Sequence, residues 1–414
     1  MRPLPGRRRS GSGERRVVPS TDMGRLRGIL LALVLAAVAT TAAGALGCAS
    51  QGVAGAAGES VAAATTVVSS PAPTTASSPS ASSELAGWSN RRLAAQLVFC
   101  SVPATNPSAG RRFARLGVGG IVILGGGARS SIGSDLAAVL KAAPHGVKPF
   151  IASDEEGGQV QRLRDVVYPL PSARVQGGWS ASKTRATAED YGARLRKLHV
   201  SVVFGPVADL DVPGRYMSAL DRCFSPEPKV VGTHVVAWVT GLRASRVLST
   251  VKHWPGHGWA TDTHSGAARV PSLSVLRRND MVPFEQAFDV NVPLVMVGHL
   301  RAKGLTGDET PASLSRQALT YLRGRTGSAT VIITDSLSMA ATTKALGIKL
   351  PAAAVQALRA GADLALFATG DPVPVIDAVT AAIESGRIPR AEAEAKVLRI
   401  LELKRKAGLA PAAQ

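Results

Sequence analysis

The chain has 414 residues, of which 48 are Lys or Arg and 29 are Asp or Glu, so its formal net charge at pH 7 is +19. Strongly basic proteins commonly bind nucleic acids, anionic polymers or lipid headgroups. Aromatic residues make up only 4% of the chain and are not interleaved with Lys and Arg. This argues against a nucleic-acid partner, because stacking rings usually accompany the cations in such proteins.

The first 48 residues have the organisation of an export signal. A basic stretch at residues 2–27 precedes an Ala-rich apolar run at residues 29–46, which is more typical of a cleaved signal than of a transmembrane helix. The sequence ALGC at residues 45–48 is similar to a bacterial lipobox. We therefore predict an exported protein that is anchored at the outer face of the cytoplasmic membrane through a lipid on Cys48. Cleavage without lipidation is the alternative, and Met23 is a second candidate start.

Residues 49–86 consist mainly of Ala, Ser, Thr, Pro, Gly and Val. Such a composition buries too little apolar surface to offset the entropy of ordering the chain, and we predict a disordered tether. Residues 1–48 carry a net charge of +6, which leaves +13 for the rest of the chain. About 328 residues follow the tether, enough for one large α/β barrel or two modest domains. Cys100 and Cys223 are the only other cysteines, and a single disulfide between them stays open.

From residue 87 onward, short apolar runs rich in β-branched residues alternate with longer segments of helical periodicity. Eight such βα units predict a single closed (β/α)8 barrel of the TIM type. A doubly wound sheet is the alternative, but GGG at residues 125–127 lacks the order of a phosphate-binding loop. The predicted strands are residues 97–102, 120–125, 149–154, 201–206, 249–254, 293–298, 330–335 and 364–368.

The carboxyl-terminal residues 389–408 predict one amphipathic helix that packs on the barrel. Ala393, Val397, Ile400 and Leu401 recur at helical spacing on its apolar side, and the Lys and Arg residues are expected on the opposite side.

Polar side chains recur at or just after the carboxyl ends of the predicted strands. In a TIM barrel the active site is built at this end from the loops that follow the strands. Single Asp residues at such positions also serve as helix N-caps, but recurrence on several strands favours a functional site. The residues concerned are Asp154, Asp209, Lys252, His253, His299 and Asp335.

The segment VKHWPGHGWATDTHSG at residues 251–266 contains the densest set of reactive groups. Its Pro and Gly residues prevent a continuing helix and predict a loop. Asp262 is two residues from His264, near enough for a carboxylate to hold an imidazole in one tautomer. Histidine side chains with a pKa of about 6.5 exist in both protonation states near neutral pH, so this pair is suited to acid/base chemistry.

A zinc site is an alternative for this loop, because His253, His257 and His264 lie close together in the sequence. The intervening WPG sequence prevents the first two from sharing a helix face, and no His-Glu-x-x-His pattern is present. We therefore predict no metal. Simple hydrogen bonding of these histidines within an ordered loop is the other alternative.

Four ordered motifs resemble the β-N-acetylglucosaminidase branch of glycoside hydrolase family 3. They are DEEGGQVQRL at residues 154–163, DRCFSPEP at 221–228, KHWPGHG followed by DTH at 252–264, and IITDSLSM at 332–339. The resemblance covers most of residues 87–410. It implies the single-domain branch, since no residues remain for the second sheet domain of many β-glucoside-splitting relatives.

The resemblance implies a retaining mechanism without a cofactor, in which Asp335 attacks the anomeric carbon. His264, oriented by Asp262, is implied to donate a proton to the leaving oxygen and later to accept one from water. The residues that match the family's sugar-binding positions are Asp154, Arg162, Arg222, Lys252 and His253. We expect Asp209, His299, Glu155 and Glu156 to support these groups.

We therefore expect a monomeric, exo-acting β-N-acetylglucosaminidase that acts on muropeptides and other peptidoglycan fragments with terminal N-acetylglucosamine (GlcNAc). The sequence departs from the family at three places: Trp254 replaces the usual phenylalanine, GGG at residues 125–127 replaces an aromatic-x-Arg-Asn turn, and Ser336 replaces a second acid. A β-glucosidase, a phosphorylase of the same family and a catalytically silent glycan-binding lipoprotein are the alternatives.

Overall fold

All eight predicted strands are present in the computed structural model, which describes residues 84–413. The predicted export signal, both candidate starts, Cys48 and the predicted tether up to residue 83 lie outside the described residues. Within residues 84–413, no helix combines the length and apolar character needed to cross a bilayer.

The strands form where apolar, β-branched runs are buried on both faces, as parallel sheets covered by helices require. In chain order they are β1 (Val98–Pro103), β2 (Gly120–Leu124), β3 (Phe150–Ser153), β4 (Glu155–Gly157), β5 (Val160–Gln161), β6 (Val202–Val203), β7 (Leu248–Trp254), β8 (Ala268–Arg269), β9 (Leu294–Val297), β10 (Leu300–Arg301), β11 (Val331–Thr334) and β12 (Ala365–Leu366).

Eight of these strands form one parallel sheet in the order β11-β9-β7-β6-β3-β2-β1-β12. The sheet closes on itself because Ile333 forms a parallel bridge to Leu364, and the Thr334 N–H donates to the Leu364 carbonyl at 3.1 Å. The remaining strands form two small pairs, β4 with β5 and β8 with β10. The predicted TIM-type barrel is therefore confirmed.

Helices surround the barrel, and those that precede a barrel strand run antiparallel to it. In chain order they are α1 (Asn90–Gln96), α2 (Gly110–Arg115), α3 (Ile132–Lys141), α4 (Ala173–Gln176), α5 (Ala181–Lys197), α6 (Tyr216–Ala219), α7 (Pro228–Ala244), α8 (Leu273–Arg278), α9 (Val282–Asp289), α10 (Lys303–Thr306), α11 (Arg316–Thr326), α12 (Thr343–Leu346), α13 (Leu350–Ala360), α14 (Pro372–Glu384) and α15 (Arg390–Lys406).

The buried apolar core extends from Leu85 to Leu409. The described part of the chain therefore carries its own core, as a domain that folds alone requires. Because Leu85 is fully buried, packing begins slightly before the predicted tether end at residue 86. Cys100 and Cys223 are both buried free thiols, so the disulfide left open by the sequence does not form.

The predicted carboxyl-terminal helix forms as α15, but the expectation that all its cations face away from the core is wrong. Lys396 and Lys404 are both buried. The Lys404 ammonium group donates to the Gln96 side-chain oxygen at 2.7 Å, and burial lowers the pKa of Lys404 to about 7. Lys396 pairs with Glu392 at 3.1 Å. A long side chain thus enters the core wherever it finds a polar partner at its tip.

Asp363 connects the closing strands of the barrel to two helices. Its carboxylate, on a side chain that is 1% exposed, accepts from the Ile332 N–H at 2.7 Å. It also accepts from Arg323 of α11 at 2.5 Å and from Arg399 of α15 at 2.7 Å. One carboxylate therefore balances the positive charge of two partly buried guanidinium groups where the barrel closes.

We predict that Asp363→Ala lowers the free energy of unfolding by about 3–5 kcal/mol, because both guanidinium groups lose their charged partner. The measurement is urea unfolding followed by circular dichroism. Asp377→Ala is the matched control, since Asp377 pairs with Arg91 at the surface, where such pairs contribute about 0–1 kcal/mol. Equal losses in the two variants would contradict this role of Asp363.

Candidate active site

A cavity of about 390 Å³ opens at the carboxyl ends of the barrel strands, which is within the usual size range for small-molecule sites. Seven of the eight residues predicted for catalysis and sugar binding line it: Asp154, Arg162, Arg222, Lys252, His253, His264 and Asp335. The eighth, Asp262, contacts His264. The structure thus brings together residues that are up to 181 positions apart, from Asp154 to Asp335.

Two cations are fixed in the cavity wall by carboxylates. The Lys252 ammonium group lies 2.6 Å from Asp154 and 2.6 Å from Glu156. Arg222 donates two hydrogen bonds to Glu156, at 2.7 and 2.8 Å, the bidentate geometry that a guanidinium group favours. Arg162 approaches Asp154 at 3.7 Å. These side chains present a fixed charge pattern to any ligand.

In this cluster, burial and the neighbouring charges shift the pKa values in opposite directions, and the effect of the neighbouring charges is the larger. Burial alone would raise the pKa of Glu156, but Arg222 and Lys252 outweigh it and hold the pKa far below its usual range. Burial alone would lower the pKa of Lys252, but Asp154 and Glu156 raise it overall. Lys252 and Glu156 therefore stay charged at neutral pH.

Glu156 has a larger part in the site than the sequence analysis assigned to it, since it bridges Lys252 and Arg222. It lies in β4, which pairs with β5 in a tight hairpin. Gly157 turns the hairpin with φ +91°, and a Cβ there would lie 2.1 Å from the Pro171 carbonyl oxygen. Residues two apart share a face of an extended strand, and this spacing could have placed Glu156 beside Asp154 from the sequence.

Glu155 occupies the opposite face, as strand alternation predicts. Its buried carboxylate accepts from the Ser153 hydroxyl at 2.5 Å, the Tyr191 hydroxyl at 2.6 Å and the Leu163 N–H at 3.1 Å. Burial raises the pKa of Glu155 to about 7. This carboxylate attaches the hairpin to the barrel and does not line the cavity.

Asp335 follows β11 directly and is held by the barrel backbone. Its N–H donates to the Val297 carbonyl at 2.9 Å, and its carboxylate accepts from the Ser336 N–H at 2.7 Å. Burial alone would raise the pKa of Asp335, but His253, His299 and Lys252 together with the Ser336 N–H lower it overall. The carboxylate is therefore ionised, as a nucleophile must be.

His299 lies beneath this position and does not line the cavity. Its two ring nitrogens contact the Ser313 hydroxyl at 2.7 Å and the Ser336 carbonyl at 2.8 Å. Burial lowers the pKa of His299. The ring fixes the backbone of Ser336, next to Asp335.

His264 and Asp262 form a pair on the loop that follows β7. The ring Nδ1 of His264 lies 2.7 Å from the Asp262 carboxylate, which also accepts the His264 N–H at 2.9 Å. Burial alone would raise the pKa of Asp262, but its bonds to His264 lower it overall. Because Nδ1 is occupied, Nε2 is the nitrogen left to exchange a proton with a ligand. Within the described residues, no hydrogen bond joins His264 to Asp335.

The start of this loop is fixed by a buried carboxylate, Asp209. It accepts from the His253 ring at 2.7 Å, from the His253 N–H at 3.1 Å and from the His257 N–H at 2.7 Å. Gly258 packs so closely that a Cβ would lie 2.4 Å from the Leu210 carbonyl oxygen. The loop that carries the exposed His264 thus starts from a tightly packed segment.

Tyr216 packs beside the loop histidines, with ring centroids 6.1 Å from His257 and 6.4 Å from His264, and it lines the cavity. It lies in the short helix α6, and no sequence signal singled it out. Its ring restricts the positions open to His264.

No group of three His, Cys, Asp or Glu residues suited to a metal ion occurs within residues 84–413. His253 and His264 are each bonded to a carboxylate. Burial lowers the pKa of His257 to about 4, so its ring is neutral. The three histidines have separate roles in the loop.

The arrangement unites an ionised carboxylate, an imidazole held by a second carboxylate, and fixed cations and anions around one cavity. Such a set can attack an electrophilic carbon, protonate a leaving oxygen and bind neighbouring hydroxyl groups.

Comparison with known proteins gives consistent findings. The family model described as "Glycosyl hydrolase family 3 N terminal domain" matches residues 92–403. The chain is 37% identical over 265 residues to the β-hexosaminidase LpqI of Mycobacterium tuberculosis, over 61% of this chain and 67% of the relative. It is 34% identical over 251 residues to a β-hexosaminidase of Xanthomonas oryzae pv. oryzae, over 58% of this chain and 72% of the relative.

Solved structures show the same similarity. The structure of M. tuberculosis LpqI superimposes with a TM-score of 0.71 at 33% identity, over 79% of this chain and 97% of that chain. A glycoside hydrolase family 3 β-N-acetylglucosaminidase from Paenibacillus sp. superimposes with a TM-score of 0.72 at 30% identity, over 78% of this chain and 64% of that chain.

A second buried carboxylate, Asp280, packs against the turn that begins the loop. A Cβ built at Gly256, where φ is +125°, would lie 2.6 Å from the Asp280 Cβ. Both carboxyl oxygens are buried without a hydrogen-bond partner among the described residues. Burial, and to a smaller extent Asp209, raises the pKa of Asp280 to about 7.

We predict that Asp280 makes the fold less stable as pH rises. Because its pKa is higher in the folded than in the unfolded state, its contribution to stability is fully present below about pH 4 and is lost as pH rises through about 7. We compare the free energy of unfolding of Asp280→Asn with that of the unmodified protein at each pH. The difference in favour of the variant should increase by roughly 2–3 kcal/mol when the pH is raised from about 5 to about 8. Urea unfolding at both pH values measures this difference. Asp289→Asn, which removes an exposed carboxyl group, is the control. A gain that does not change with pH would contradict the prediction.

Proposed function

The chain belongs to glycoside hydrolase family 3, and we propose that it removes terminal β-linked GlcNAc from glycans with retention of configuration. The observation that carries this proposal is the single cavity lined by the ionised Asp335 and by His264, which is held by Asp262. The similarity to proteins named β-hexosaminidase and β-N-acetylglucosaminidase supports the choice of sugar.

In the first step, an Asp335 oxygen forms a bond to the anomeric carbon while the bond from that carbon to the leaving oxygen breaks. The proton from His264 Nε2 goes to the leaving oxygen, and Asp262 stabilises the charged imidazole before transfer. In the second step, His264 takes a proton from water, the water oxygen bonds to the anomeric carbon, and Asp335 is released. The exposed position of His264 suits a group that must meet both the leaving sugar and water.

The carboxylate and cation cluster suits the hydroxyl groups of a sugar. Asp154 accepts from hydroxyls, while Lys252 and Arg222 donate, and each charge strengthens these hydrogen bonds. Glu156 keeps both cations in place before the sugar arrives. We assign Arg162 and His253 to the same subsite because both line the cavity.

We further propose that the enzyme is exported, is anchored through a lipid on Cys48, and takes its GlcNAc from peptidoglycan fragments. The basic and apolar leader and the lipobox-like sequence before Cys48 support export and anchoring. Hydrolysis is favoured over phosphorolysis, because a sugar phosphate formed outside the membrane has little use for the cell.

We predict that a fluorinated N-acetylglucosaminyl inactivator labels Asp335. Fluorine slows both steps, but an activated leaving group lets the first proceed, so the glycosyl–enzyme accumulates. Mass spectrometry of the digested protein identifies the labelled peptide. Asp335→Asn should lose both labelling and hydrolysis, and Asp289→Asn should retain both. A label on another residue would refute the assignment of the nucleophile.

The same protein preparation tests whether the enzyme prefers GlcNAc to glucose and whether water or phosphate accepts the sugar. The nitrophenyl glycoside of GlcNAc should be cleaved, the corresponding glucoside should be cleaved far more slowly, and phosphate should not change the product. Binding of GlcNAc without any turnover would instead indicate a silent glycan-binding protein.

We predict that His264→Ala slows cleavage of a GlcNAc disaccharide by about 10²–10⁴-fold, because a sugar leaving group must be protonated. A nitrophenolate leaves without protonation, so with that substrate the variant should release a rapid burst of nitrophenol before slow turnover. Stopped-flow absorbance measures the burst. His145→Asn, which alters an exposed imidazole outside the cavity, should behave as the unmodified enzyme. Equal rate losses with both leaving groups would exclude His264 as the proton donor.

A further inference from the structure

The end of the barrel opposite the cavity is rich in cations. Eight helices lead directly into a barrel strand, and six of them, all except α1 and α9, carry Lys or Arg in the last turn. At this end they include Arg115 of α2, Lys141 of α3, Arg194, Arg196 and Lys197 of α5, Arg243 of α7, Arg323 and Arg325 of α11, and Arg359 of α13. Three of them are paired with carboxylates, namely Arg194 with Asp190, Arg323 with Asp363 and Arg325 with Glu285. We call this end, formed by the last turns of these helices and the connections into the strands, the base.

Helix dipoles explain part of this pattern, because cations are favoured at helix carboxyl ends. They do not explain a second cavity, of about 370 Å³, at the base. It lies where the chain enters β7, β9 and β11, next to the last turns of α15. Three cations line it, Arg243, Arg246 and Lys406, and none of its lining residues is Asp or Glu.

The cations of this cavity are poorly neutralised. Within the described residues, neither Arg243 nor Arg246 forms an ion pair, and Lys406 approaches only the exposed Glu402, at 3.5 Å. The Arg243 guanidinium group donates to the carbonyls of Val290 and Asn291, the latter at 3.1 Å. Positive charge is therefore concentrated around the cavity mouth.

The interior of the cavity is largely apolar. Val247, Val292 and Leu403, all nearly fully buried, contribute to its wall. The buried Ser249 hydroxyl also belongs to the wall and has no hydrogen-bond partner among the described residues. An apolar pocket with a cationic rim matches an amphiphile with an anionic head.

The chain also enters the described part of the molecule at the base. Glu84, the first described residue, pairs with Arg405 in the last turn of α15. Glu84 and Trp88 share a neighbouring cavity with Val147, which lies in the connection into β3. The described part of the chain therefore begins at the base.

From these observations we propose that the base docks on an anionic lipid surface, with a phospholipid headgroup at the rim formed by Arg243, Arg246 and Lys406. The catalytic cavity, at the opposite end of the barrel, then faces away from the membrane. A linear anionic wall polymer would use the surface cations but would leave the apolar pocket empty, so a lipid accounts for more of the surface.

The test measures vesicle binding by the chain from residue 49 onward, which keeps every described residue and lacks the predicted export signal. Vesicles of phosphatidylcholine alone are compared with vesicles of equal parts phosphatidylcholine and phosphatidylglycerol, by co-sedimentation. A cation at an anionic membrane surface contributes about fivefold to binding. The triple variant Arg243→Gln, Arg246→Gln and Lys406→Gln should therefore bind the anionic vesicles roughly 10- to 100-fold more weakly.

The control triple variant removes three exposed cations near the catalytic end: Arg129→Gln, Lys229→Gln and Lys349→Gln. It has the same net charge and should bind as the unmodified chain does, within about twofold. Equal losses in the two triple variants would overturn the proposal, since only net charge would then matter. Preferential binding to a soluble wall polyanion over anionic vesicles would also overturn it.

Hydrolysis of a soluble nitrophenyl glycoside is measured on the same samples and should be unchanged in both triple variants. This readout shows that the variants are folded. It also separates the two proposals, because a failure of vesicle binding leaves hydrolysis intact, whereas a failure of hydrolysis leaves vesicle binding intact.

Discussion

Closure of the parallel sheet is the constraint on which the rest of the molecule depends. When β11 meets β12 through Ile333 and Leu364, the carboxyl ends of all eight strands are forced into one ring. Residues as distant in sequence as Asp154 and Asp335 then line the same cavity. Asp363 secures the closure because it compensates two guanidinium groups and a strand N–H at once. The reactive groups themselves contribute little to this closure, so loops around the ring can vary while the frame persists.

Within that frame, charge is arranged so that each group is held in the state its role requires. Lys252 keeps its proton because two carboxylates face it, and Asp335 loses its proton because cations and an N–H surround it. By contrast, the pKa values of Glu155 and Asp280 are raised, since burial acts there with little or no compensation by cations. Both of these carboxylates lie outside the cavity wall. Asp154, Glu156 and Asp335, which line the cavity, each lie close to at least one cation or N–H donor.

Much of this organisation could be predicted from the sequence, because strand ends are marked by abrupt changes from apolar to polar residues. Asp154, Lys252 and Asp335 each follow or end such a run, which is why the barrel was predicted correctly and why seven of the eight predicted site residues line one cavity. Tyr216 was missed, since a short helix in a loop has no periodic signal. The buried lysines of α15 were missed for another reason, because Lys404 depends on Gln96, 308 residues earlier. Contacts over such separations are set by packing and not by local pattern. The leader, Cys48 and the tether stay predictions.

One backbone contact gives the two loops of the site a mechanical connection. The Ala341 N–H donates to the Thr263 carbonyl at 3.2 Å, so the segment after Asp335 is stitched to the segment that carries His264. A displacement of the backbone that carries His264 would therefore act on this hydrogen bond and, through it, on the segment that follows Asp335. The positions of the two loops are thereby coupled through one peptide group.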